Sequence, residues 1–163
     1  MHRIAFLLVP GVHLLDLAGP AQVFSTAARD GLPYRLTYIA DHPAGDGSGG
    51  DGSRGDGSRG EQCDVVTAQG VALRAPAAWP DLTRDDIVVV PGWRWAAPRE
   101  ADARHAPPVS PGAARRLAGH HAAGGLVASV CSGAFALAHA GLLDGRRCTT
   151  HHELQDALAR RHP

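Results

Sequence analysis

The 163-residue sequence contains no lysine and no asparagine, and all 16 of its basic residues are arginine. They are offset by 16 acidic residues, so the chain has no formal net charge. A neutral chain lacks the positive surplus with which proteins hold nucleic-acid phosphates, which argues against strong DNA or RNA binding by this segment itself. The lysine-free usage reads as the coding bias of a GC-rich genome rather than as chemistry. Cysteine is scarce: Cys63, Cys131 and Cys148 make an odd number, at spacings that match no zinc pattern. Long apolar runs are missing too. The opening "IAFLLV" is far too short to cross a bilayer, Asp16 follows it closely, and no signal peptide precedes it. These lacks predict a reduced, cytoplasmic setting with no membrane partner.

What remains is a chain that is 44% apolar, enough for one ordinary domain with a real core. "RIAFLLV" (residues 3 to 9) is a continuous apolar run of the kind buried on both faces of a parallel sheet. "PGVHLLDLAGP" reads as a loop. "AQVFSTAARDG" then predicts a short helix after Pro20, stopped by Gly31. "YRLTYIA" (34 to 40) is a second strand. Residues 46 to 60, "DGSGGDGSRGDGSRG", repeat a five-residue unit without an apolar side chain and predict a disordered surface insertion. The tripeptide Arg54-Gly55-Asp56 inside it is a by-product of the repeat. "CDVVTAQGVALRA" (63 to 75) predicts a hairpin turned near Gln69-Gly70. "DIVVVPG" (86 to 92) is another buried strand.

Ser110-Pro111 marks a helix start, and Gly124-Gly125 its stop. "LVASV" predicts a further strand, and "GAFALAHAG" a helix. "CTTHHELQDALARRH" predicts a strand end and a short helix. Strands alternating with helices define an α/β fold, an open parallel, flavodoxin-like sheet sandwiched by helices. In such sheets, sites form at the carboxyl ends of the strands, where the Asp16 loop, Pro91-Gly92 and Cys131 fall.

The stretch "LVASVCSGAFALAHAG" places a thiol where a strand turns abruptly into a helix. That is the geometry of a nucleophile elbow, which needs the small neighbours Ser129, Ser132, Gly133 and Ala134. The positive end of the following helix predicts a thiol held below its ordinary range. The N–H after the cysteine is placed to donate to a developing oxyanion, with Gly92 as a second donor. His120-His121 and His151-His152 are adjacent pairs whose side chains are expected to point apart, so no metal site is predicted. Trp93 and Trp95 are expected to wall a pocket rather than stack on bases.

"FLLVPGVHLLDLAGPAQVF", "DIVVVPGW" and "VASVCSGAFALAHAGLLDGRRCTTHH" resemble, in that order, three blocks of the DJ-1/PfpI superfamily, whose fold is that of class I glutamine amidotransferases. Two branches fit: the amidase-like N-terminal domain of AraC-type transcription regulators, toward which Pro91-Gly92-Trp93 and the last block lean, and isocyanide hydratase. The resemblance implies that Cys131 is the elbow cysteine, and that Asp16 is the acid reaching over it and, when protonated, donating to its thiolate. It implies that His151 is the nearby histidine, and that Gly92 and Ser132 supply the oxyanion amides. Trp93 stands where many relatives have glycine, and Ser132 where protease-like members have histidine, which disfavours protease activity. No cofactor is implied.

The expected partners are a small-molecule ligand and a second copy in a homodimer. DNA would be bound only through a C-terminal helix-turn-helix domain absent here. Relatives add a strand and a helix after the stretch matching "ALARRHP", so this single domain, residues 1 to 163, reads as truncated: a fragment, a shortened frame or a short free-standing domain. Three functions follow: a ligand sensor of an AraC-family regulator, a cysteine-dependent hydratase or lyase, or a cysteine redox sensor.

Overall fold

The computed structural model describes residues 1–41, 62–94 and 109–162. The repeat at 46 to 60 and Trp95 lie outside these residues. Four parallel strands form the central sheet: β1 (His2–Leu8), β2 (Tyr34–Ala40), β5 (Ile87–Val90) and β6 (Leu126–Ser129), in the order β2-β1-β5-β6. The remaining strands, β3 (Gln62–Val66) and β4 (Ala72–Pro76), pair antiparallel as a separate hairpin that packs against β2. Its turn is closed by Gly70 at φ +83°, a conformation that glycine adopts without strain.

The unbroken apolar character of β1 has a simple cause. Ala5 and Leu7 enter one buried cluster with Val88, Val90, Leu117 and Phe135. Ile4, Phe6 and Leu8 enter a second with Val12, Leu17, Val65 and Ala75. Successive side chains point to opposite faces, so a strand covered on both sides must be apolar at every position. The first cluster holds α2 (Pro111–Ala122), α3 (Ala134–His139) and α4 (Gln155–Arg161) against the sheet; the second holds α1 (Leu14–Arg29) and the hairpin. Ser110 caps α2 as expected, its Oγ accepting from the Ala113 N–H at 3.1 Å.

Two local expectations differ. Helix α1 begins at Leu14 and carries Pro20 inside it, so Asp16 sits in its first turn rather than in a loop. Proline removes the bond that its own N–H would give to the Asp16 carbonyl and its ring crowds that carbonyl, and packing against the sheet outweighs that cost. Residues 147 to 151 form no strand; a 3-10 turn over His152–Leu154 leads directly into α4.

Candidate functional site

Strands β1, β5 and β6 deliver their carboxyl ends to one place. Cys131 follows β6 by two residues and stands at φ +54°, the one non-glycine residue with positive φ among those described. A left-handed cysteine is strained by roughly 1–2 kcal/mol, the cost of crowding its Cβ against the following carbonyl. The chain then makes one 3-10 turn over Cys131–Gly133 before α3 begins. Gly133 is required for close approach: a Cβ there would run into the Val90 carbonyl, with Pro91 O at 3.2 Å. Ser132 is 1% exposed. Its Oγ accepts from the Trp93 N–H at 2.9 Å and donates to the Trp93 carbonyl at 3.1 Å. The elbow is thereby locked to the arm that leaves β5.

Gly92 lies where the site residues converge. A Cβ at this position would collide with Asp16 Oδ2, and would lie 2.9 Å from Cys131 Cβ and 3.0 Å from Ser132 Oγ. Asp16 reaches it from the first turn of α1, whose approach is fixed by the His13 N–H donating to the Gly92 carbonyl at 2.8 Å. Asp16 Oδ2 is buried and has no hydrogen-bond partner.

The thiol differs from expectation. Burial pushes Cys131 above its ordinary value; the Ser132 N–H pulls it back, and the charge of Asp16 pushes it up again. Trp93 is 8% exposed and belongs to the core cluster with Val90 and Val109. Its amide is the one held by Ser132.

Asp16, Gly92, Cys131 and Ser132 are thus brought together, with Trp93 bound behind them. His151 is adjacent in the chain to Thr150, whose Oγ1 donates to the Cys131 carbonyl at 3.0 Å. Its own polar contacts, among the described residues, run to Glu153: Nδ1 accepts from the Glu153 N–H at 3.4 Å and lies 3.9 Å from Oε2. Nor do His151 and His152 point apart. Their rings lie 4.4 Å apart because His151 is extended and His152 opens the 3-10 turn. With Glu153 they bring three possible ligand atoms within 4.8 Å of one another, largely in solvent. Thr150 and Gln69 (described below) are contacts that sequence reasoning passed over. Thr150 had a signal, its place beside His151; Gln69 had only its position in a turn.

A strained elbow cysteine, a carboxyl opposite it and two glycine-lined close approaches on a parallel sheet define an α/β protein with a cysteine-acid site. The DJ-1/PfpI family profile matches residues 2–162, and the chain belongs to that family. It is 42% identical to an uncharacterized protein in the cpoL 5′ region of Streptomyces lividans, over 99% of this chain and 96% of that one. It is 28% identical to an isonitrile hydratase of Pseudomonas putida, over 96% of this chain but 55% of that protein, so it spans about half of the latter. In three dimensions it resembles an AraC family transcriptional regulator from Pseudomonas putida, with a TM-score of 0.68 at 21% identity, covering 100% of this chain and 74% of that one. Among the described residues, no helix is long and apolar enough to cross a membrane.

Proposed function

We propose that this domain is a small-molecule sensor of the kind found at the N-terminus of AraC-type regulators, with the ligand taken up at the Cys131–Asp16 corner. The observation that carries the reading is Asp16 Oδ2, buried beside the thiol and unpartnered. Leaving a buried carboxyl oxygen unpaired costs about 1–3 kcal/mol, which the N–H or O–H of a ligand would recover. One feature favours binding over turnover: burial holds the thiol above its ordinary value, which disfavours the thiolate that a nucleophile needs. A response on DNA would belong to a helix-turn-helix domain outside these 163 residues.

A second reading is hydration of an isonitrile, favoured by the 28% identity to an isonitrile hydratase and by the same unpaired oxygen. The Cys131 sulfur would add to the isonitrile carbon while its proton passes through Asp16 to that carbon, giving a thioimidate. Water would then add, the C–S bond would break, and a formamide would leave with the thiol restored.

The test is a panel of small isonitriles, aldehydes and amides, followed by thermal shift and by product analysis. The sensor reading expects stabilisation that Cys131→Ala and Asp16→Asn abolish, with no ligand consumed. Formamide release above the Cys131→Ala control would replace that reading with the second.

A further inference from the structure

We infer that Gln69, at the tip of the β3–β4 hairpin, is a positioning residue that sets Asp16 against Cys131. The inference rests on the reading above, that Asp16 acts on the thiol. A helix opens with N–H groups that need acceptors, and the residue preceding α1, His13, supplies no side-chain acceptor. Gln69 supplies one from elsewhere in the chain. Its Oε1 accepts from the Leu14 N–H at 3.0 Å, and its Nε2 donates to His13 Nδ1 at 3.2 Å. Asp16 is two residues further along the helix so capped.

The hairpin tip is held against both arms of the site. The Gly11 N–H donates to Val66 O at 2.8 Å and the Ala68 N–H to Val12 O at 3.0 Å, which binds the tip to the segment leading into α1. The Arg94 guanidinium donates to the Ala68 carbonyl, and the Arg94 N–H donates to Gly11 O at 2.8 Å, which binds both to the arm beyond Gly92. Inside the tip, the Gly70 N–H donates to Thr67 O at 3.0 Å and Thr67 Oγ1 accepts from the Val71 N–H at 3.0 Å. The turn that carries Gln69 is therefore stiff, and losing its side chain frees the start of α1 without dismantling the hairpin.

The consequence is read at the thiol. Asp16 raises Cys131, so a loosened Asp16 lets it ionise more readily. The experiment is the rate of iodoacetamide modification of Cys131 against pH, resolved peptide by peptide from Cys63 and Cys148, in the full chain. Asp16→Asn should speed the reaction at neutral pH about fivefold, and Gln69→Ala about twofold in the same direction, as expected for loss of one exposed hydrogen-bonded cap. Gln69→Glu keeps the acceptor for the Leu14 N–H and should restore the wild-type profile. The double variant Asp16→Asn/Gln69→Ala should match Asp16→Asn alone. A shifted Asp16→Asn profile with an unchanged Gln69→Ala profile overturns the role of Gln69 and leaves that of Asp16 standing. So does a Gln69→Ala effect that adds in full on top of Asp16→Asn. An unchanged Asp16→Asn profile overturns both.

Discussion

The Cys131 corner and the His151 segment are joined by the bond from Thr150 to the Cys131 carbonyl, yet they are built by opposite rules. At the corner, contacts come from far along the chain: Ser132 is tied to Trp93, Gly133 faces Val90, and Asp16 arrives from α1. In the His151 segment they are local, from His151 to Glu153 and from His151 to His152. Long-range contacts fix an atom in the frame of the sheet, whereas local ones fix it only relative to its neighbours in sequence. The corner is therefore where small changes should have large effects, and the segment where chemistry-bearing side chains should be replaced with little consequence.

Substitutions can break that contrast. The largest effect is expected from Gly133→Ala, whose methyl group meets the immobile Val90 carbonyl; a loss of about 3 kcal/mol in urea-denaturation stability would measure it. Ser132→Ala comes next. It removes both hydrogen bonds that the buried Ser132 hydroxyl makes to the Trp93 backbone, for about 2 kcal/mol in the same measurement. Asp16→Asn acts on chemistry rather than stability. Removing a negative charge beside a thiol favours the thiolate, so the alkylation profile of Cys131 should move to lower pH. The smallest effect is expected from His151→Ala, which should leave both the urea midpoint and the Cys131 alkylation profile unchanged. A His151→Ala shift as large as that of Asp16→Asn would erase the distinction between the two regions.

The same contrast explains what was legible in the sequence. Apolar runs marked β1, β5 and β6 because burial on two faces demands apolar residues at every position. Ser110-Pro111 marked the start of α2 because its cap is local. The elbow was legible because the close approach at Gly133 requires glycine in the sequence itself. The start of α1 was not, because its cap, Gln69, lies far away in the chain and His13 gives no hint of it. The inward turn of Trp93 depends on Ser132 and the core, and an outward-facing ring would have the same sequence. The thiol follows a related rule: the sequence displays the helix that would lower it, while the burial that raises it appears only once the chain is folded.

The left-handed backbone at Cys131 has a further consequence. Glycine adopts that conformation without penalty, so Cys131→Gly should relieve the elbow of strain that Cys131→Ala retains. The corner thus sits off its own thermodynamic optimum by virtue of one side chain. Its geometry is better served by a residue with no sulfur, and the sulfur has a use that folding alone does not supply.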